Sequence, residues 1–145
     1  MIPHYKEMPA DCRFCQIVTG TLAAAIVFQD QKLLAFLDHR PLFPGHCLLI
    51  PRQHWVVLAD VPPEEISPLF IAAQRLSRAM EEALGVEGSF VAINNRVSQS
   101  IPHLHVHVVP RKRKDGLKGF FWPRGKYASA QEMEEIRLKL ERAVQ

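Results

Sequence analysis

Two rhythms of apolar residues run along this chain, one of period two in short bursts and one of period near 3.6 in a single long stretch. Ala25 to Phe28, Leu33 to Leu37, His46 to Ile50, Phe90 to Ile93 and His103 to Val109 are short apolar runs bounded by turn formers, and they predict five β-strands. Asp30-Gln31 leaves room only for a tight turn between the first two, and such short connections imply antiparallel pairing. Pro41-Leu42-Phe43-Pro44-Gly45 must be a loop, since two prolines and a glycine suit neither a ladder nor a helix interior. Between the third and fourth strands, Ile66, Leu69, Phe70, Ala73, Leu76, Met80 and Leu84 recur at steps of three and four, giving one apolar stripe to lay on the sheet. Asp60 and Pro62-Pro63-Glu64-Glu65 open this helical stretch and Gly85 closes it. Because proline costs about 3 kcal/mol inside a helix, the regular helix is expected to start with Ser67 as N-cap and Pro68 at N1. A second helix over 129–145 follows Ser129, whose spacing to Glu132 makes a capping box, with Met133, Ile136, Leu140 and Val144 as its apolar face. These elements define an α+β chain: a five-stranded antiparallel sheet, one long helix and a C-terminal helix.

Composition narrows the class. With 145 residues, 48% of them hydrophobic, the chain suits one compact domain over 1–145 that buries roughly 70% of its unfolded surface. Residues 1–11 read as a flexible N-terminus and 111–128 as a basic and aromatic loop. No internal repeat or low-complexity tract interrupts this unit. No apolar run approaches the roughly 20 residues needed to cross a bilayer, and Met1 to Ala10 lacks the apolar core of a secretory signal, so a soluble cytoplasmic protein is expected. A net charge of +3 is too small to imply nucleic acid by itself. Its distribution says more: Arg111-Lys112-Arg113-Lys114, Lys118, Arg124 and Lys126 crowd one stretch, where they would offer positive potential to a polyphosphate or DNA, or simply keep a loop solvated.

The chemistry concentrates in His103-Leu104-His105-Val106-His107-Val108-Val109-Pro110. Strict alternation turns Leu104, Val106 and Val108 toward a core and leaves three imidazoles on the opposite face, about 6.6 Å apart at roughly 3.3 Å of rise per residue. That spacing suits three contacts around one small anionic group, and imidazole serves as nucleophile, proton donor or metal ligand near pH 7. Just before it, Asn94-Asn95-Arg96-Val97-Ser98-Gln99-Ser100-Ile101-Pro102 is a polar loop, with short amides and hydroxyls that suit phosphate oxygens as well as ordinary turns. Cys12-Arg13-Phe14-Cys15 has the spacing of half a tetrahedral zinc site. A redox pair and two unliganded thiols are the rival readings. Cys47 reads as a small buried hydrophobe, and the methionine of the helical stripe as core packing.

Taken together, Gln99-Ser100-Ile101-Pro102-His103-Leu104-His105-Val106-His107-Val108-Val109-Pro110-Arg111 strongly resembles the signature of the histidine-triad superfamily of nucleotide hydrolases and transferases. Pro44-Gly45-His46-Cys47-Leu48-Leu49-Ile50-Pro51-Arg52-Gln53-His54 resembles a second block of that family, and Ala35-Phe36-Leu37-Asp38 a third. The resemblance implies a two-fold homodimer acting on a purine nucleotide or AMP conjugate. It makes His105 the nucleophile at the α-phosphorus, His107 a phosphate contact, Gln99 and Ser100 contacts to phosphate and bridging oxygens, and Asp38 the acceptor for ribose hydroxyls. By similarity to zinc-containing bacterial members, Cys12, Cys15, His54 and His103 would hold a closed, structural zinc. His39 and His46 are left as structural and His4 as disordered.

One departure matters. Many members carry a longer glycine-bearing loop before the glutamine, whereas here only Arg96-Val97-Ser98 separates Asn95 from Gln99. Asn94 and Asn95 are the candidates for the family's asparagine, and Arg96 is a candidate for replacing lost backbone donors by a charged contact to phosphate. Gly119-Phe120-Phe121-Trp122-Pro123-Arg124 is not general to the superfamily; its aromatic cluster would stack a base or leaving group, or dock on the dimer. The expected activity is hydrolysis of a dinucleoside polyphosphate, nucleoside phosphoramidate or related AMP conjugate. The alternatives are removal of adenylate from DNA ends, disfavoured without an appended DNA-binding domain, and a nucleotide-binding signalling or scaffold module with vestigial turnover.

Overall fold

A computed structural model describes residues 8–117 and 124–144 of the chain. Five strands, β1 (Ile26–Gln29), β2 (Leu33–Leu37), β3 (Cys47–Pro51), β4 (Gly88–Ile93) and β5 (Val106–Arg111), form one antiparallel sheet in the order β1-β2-β3-β5-β4. The hairpin between β1 and β2 turns at Asp30, whose Oδ1 accepts from the backbone N–H groups of Lys32 and Leu33 at 2.8 and 2.7 Å. The described residues also form three α-helices: α1 (Arg13–Thr19), α2 (Pro63–Leu84) and α3 (Ala130–Val144). Residues up to Arg113 form one compact unit, and Lys114 onward a second that contains α3. Among the described residues no helix is long and apolar enough to cross a membrane.

The first unit buries both faces of its sheet, which is why β2 and β3 read as continuous apolar runs rather than alternating ones. On one face Leu33, Ala35, Cys47, Leu49, Leu104, Val106 and Val108 meet Leu69, Ala72, Ala73, Leu76 and Met80 of α2. On the other, Leu34, Phe36, Leu48 and Ile50 meet Cys12, Phe14, Cys15 and Ile17 from α1 and its N-cap. Cys47 and Met80 therefore pack as hydrophobes.

Several expectations are corrected. Helix α2 starts at Pro63 behind the cap Pro62, not at Ser67, so Pro68 stands inside it. The bond that Pro68 cannot make is to the carbonyl of Glu64, an exposed residue accessible to water. The cost of about 3 kcal/mol is offset by burying Leu69, Leu76 and Met80, at about 1.5–3 kcal/mol each. Phe70 and Leu84 of the expected stripe are exposed, while Ala72, omitted from it, is buried. Strand β5 begins at Val106 rather than His103, because the preceding backbone is engaged elsewhere: Leu104 N–H donates to Trp55 O at 2.7 Å and His103 N–H to Ile101 O at 2.8 Å. At its far end Pro110 lies beyond the last β3 pair, Cys47 with Val108, and is in register with Ser89 of β4. Helix α1 and a 3-10 turn at Leu58–Asp60 were not expected.

Of the expected N-terminal flexible stretch, Met8 packs against the α1-side core and Pro9 O accepts from Cys12 N–H at 3.0 Å, while His4 lies outside the described residues. In the second unit, Ser129 Oγ accepts from Glu132 N–H at 3.0 Å, as a capping box requires, but Glu132 reaches back to the N–H of Ala128 instead of the cap residue's own. The apolar stripe Met133, Ile136, Leu140 and Val144 of α3 is exposed rather than buried. The Phe120-Phe121-Trp122-Pro123 cluster lies outside the described residues.

Candidate active site and metal centre

Register places the histidines. His107 pairs with Leu48 and Val106 with Leu49, so Val106 points to the α2 core and His107 to the face covered by α1. His103, His105 and His107 therefore share one side, but not as an open row. His103 and His105 are buried, at 0% and 4% exposure, and His107 is partly buried. The Phe14 ring of α1 stands edge-on to both His103 and His105, with centroids 5.9 and 5.1 Å away.

His103 turns to a separate cluster. Its Nδ1 lies 3.6 Å from Cys12 Sγ, 3.5 Å from Cys15 Sγ and 3.2 Å from His54 Nδ1, and His54 Nδ1 lies 3.2 Å from Cys15 Sγ. Zinc at its usual bond lengths in a tetrahedron sets ligand edges of roughly 3.4 Å between nitrogens and roughly 3.6 Å between sulfur and nitrogen, so the four side chains fit that ion. His103 Nε2 is 2.7 Å from the carbonyl of Pro51, which makes it the protonated nitrogen and leaves the Nδ1 lone pair for a metal. Cys12 caps α1, and its Sγ accepts from Cys15 N–H at 3.4 Å. The pair thus does open a helix, as redox pairs do. Without an ion, however, burial and the neighbouring Cys12 push Cys15 up to about 12, the reverse of the low pKa a redox thiol needs.

His105 and His107 are ring neighbours, 4.9 Å between centroids. His105 Nδ1 is 2.7 Å from the carbonyl of His103, so Nδ1–H donates and Nε2 carries the free lone pair. Burial lowers the His105 pKa, partly opposed by that hydrogen bond and by Asp38, and pushes His107 down to about 4. Both rings are neutral near pH 7. Asp38, at the end of β2, comes to this site with Oδ2 3.8 Å from His46 Nδ1 and Oδ1 accepting from Arg40 N–H at 2.9 Å. His46 is the member that sequence reasoning missed. It is 3% exposed and its Nε2 lies 3.0 Å from His107 Nδ1. Its parity with Leu48 and Ile50 along β3 was visible, but only the pairing register shows that this parity faces His107. His39 is exposed.

The loop before the triad is engaged largely with itself and its neighbour. Gln99 Oε1 accepts from Arg96 N–H at 2.9 Å and Gln99 Nε2 donates to Val56 O at 2.6 Å, while Asn95 Oδ1 accepts from Leu58 N–H at 2.8 Å. Asn94 is partly buried, and Ser100 and Arg96 are exposed. Positive φ falls on Arg96 and Ser98, at 68° and 62°, so ordinary side chains here hold the left-handed conformation that glycine usually supplies.

Comparison with known proteins points one way. Residues 19–114 match the HIT domain family. The chain is 34% identical over 109 residues to adenylylsulfatase HINT3 of Arabidopsis thaliana, covering 74% of this chain and 55% of that protein. It is 30% identical over 110 residues to the asymmetrical bis(5'-nucleosyl)-tetraphosphatase of Schizosaccharomyces pombe, covering 74% and 59%. Among solved structures, SMU.412c of Streptococcus mutans superposes with a TM-score of 0.84 at 27% identity, covering 95% of this chain and 88% of that one. A zinc-bound histidine triad family protein of Mycobacterium smegmatis gives 0.71 at 35% identity, covering 92% and 95%.

Proposed function

The chain belongs to the HIT domain family, and from that premise we propose that it hydrolyses an AMP conjugate, a dinucleoside polyphosphate, nucleoside phosphoramidate or adenylyl anhydride, at the α-phosphorus. The observation that carries this reading is the 2.7 Å contact from His105 Nδ1 to the His103 carbonyl, which frees Nε2 of a neutral ring for attack. In the first step the Nε2–P bond forms and the bond from phosphorus to the leaving group breaks, the leaving group departing with its electron pair and, where it is an amine, taking a proton from solvent. In the second, water attacks phosphorus and gives up a proton to solvent, the N–P bond breaks with its electron pair returning to Nε2, and AMP leaves. His107 and Ser100 hold phosphate oxygens, Gln99 adds the Nε2–H not given to Val56, Asn94 and Asn95 border the nucleotide, and Asp38 accepts from the ribose hydroxyls. Cys12, Cys15, His54 and His103 hold a structural zinc that ties α1 to the strand carrying His105. The adenylylsulfatase and tetraphosphatase relatives support the substrate class. The whole chain, 1–145, acts as one histidine-triad domain in a homodimer.

The test is a panel of adenylyl sulfate, diadenosine tetraphosphate, AMP phosphoramidate and nicked adenylated DNA, with AMP release and trapping of labelled AMP on protein as readouts. Rapid release from small conjugates with label on His105 supports the proposal. Release from DNA alone assigns an end-processing enzyme, and tight AMP binding with no release from any substrate assigns a binding module.

A further inference from the structure

The loop between β2 and β3 enters the site through a donor whose direction is not in doubt. The backbone N–H of Leu42 points at His46 Nδ1 at 3.1 Å, and since an amide N–H only donates, that ring nitrogen accepts. The proton of a neutral His46 therefore sits on Nε2, 3.0 Å from His107 Nδ1, and donates to it. This forces the proton of His107 onto its own Nε2, which among the described residues is a buried side-chain nitrogen with no hydrogen-bond partner. A buried donor without a partner calls for an acceptor in function.

We propose that His46, held by the Leu42 amide, is a positioning residue that locks His107 in the tautomer presenting Nε2–H to a phosphate oxygen beside His105. This rests on the reading of the site as a nucleotide hydrolase and names the device that orients its donor before substrate arrives, so that no proton has to be rearranged during phosphoryl transfer. Asp38, His105 and His107 are the titratable groups facing His46. The Asp38 carboxylate favours a charged His46, but burial outweighs it and the ring stays neutral near pH 7. Asp38, His46 and His107 also cluster as cation ligands would. The relay argues against that role: one His46 nitrogen accepts the Leu42 N–H and the other carries the proton, which leaves no lone pair for an ion.

Two measurements decide it. In wild-type protein with 15N-labelled histidine rings, His107 is expected to show an unprotonated Nδ1 and a protonated Nε2; a ring protonated at Nδ1 overturns the proposal. In His46→Leu, kcat for a small AMP conjugate is expected to fall about ten- to a hundredfold with KM little changed, and the His107 signals to become a tautomer mixture. His46→Gln, whose amide offers an acceptor and a donor at similar separation, is expected to recover at least tenfold of that loss. A folded His46→Leu protein with kcat within about twofold of wild type, or equal losses in both variants with an unchanged His107 tautomer, overturns it. If His46→Leu does not fold, the wild-type tautomer decides alone. If wild-type protein turns over no AMP conjugate, the functional reading fails, while the ring spectrum still reports on the relay.

Discussion

In the proposed mechanism the His103 carbonyl sets His105 for attack, and replacing that ring would remove the nucleophile while leaving the rest of the site in place. In His105→Ala, release of AMP from small conjugates is expected to fall by roughly three orders of magnitude or more, with AMP affinity by calorimetry within a few-fold of wild type. Undiminished hydrolysis would reject the assignment. His107 lends itself to a pH test because it lies clear of the metal cluster. Its pKa drops from 6.5 to about 4 on folding, mainly through burial. Between those values the unfolded chain binds the extra proton, so stability rises with pH across the window and is lost as pH falls from about 6.5 toward 4, by at most about 3 kcal/mol for this ring. Urea unfolding at pH 7, 5.5 and 4.5 should show a shallower decline in His107→Gln than in wild type; parallel declines would remove His107 from the account.

At the scale of elements, the metal cluster does what no single strand does: it joins α1, the segment after β3 and the approach to β5. Chelation is expected to lower the unfolding temperature by roughly 10 °C or more, as the loss of a few kcal/mol does in a chain of this size, and to free Phe14 from His103 and His105. Elemental analysis near one zinc per chain with that shift supports the cluster as a tie; a zinc content near zero with an unchanged melt would reject it. Sequence made the strand centres and the long helix legible, because β2, β3 and the Leu69–Met80 stripe are uninterrupted apolar signals. It did not reveal α1, which is seven residues long and capped by a cysteine instead of a serine or aspartate, nor the start of β5, where bonds to Trp55 and Ile101 override the alternation. The site was legible as far as the histidines' common face. What escaped was His46, because a ring's partner across a sheet depends on register, which turns and packing set together.

For the molecule as a whole, the edge strand β4 bears on assembly. Val91 lies opposite Val108, hence on the α2 side of the sheet, yet it is 41% exposed. On α2, Ser77 accepts a hydrogen bond from Ser89 of β4, and Phe70, seven residues earlier, lies on that same flank at 42% exposure. The β4 end of the sheet, with exposed Phe70 and Val91 beside it, is the surface a two-fold partner is expected to cover, since a second copy brings an identical apolar flank. Val91→Asp places a charge where that partner's Val91 would sit, at a position already open to water in the single chain. Light scattering is expected to give twice the 16.5 kDa chain mass for wild type and the single-chain mass for the variant, with its circular dichroism unchanged. A wild-type protein that scatters as a single chain at micromolar concentration would reject the pairing, and a variant still at twice the chain mass would move the interface away from β4.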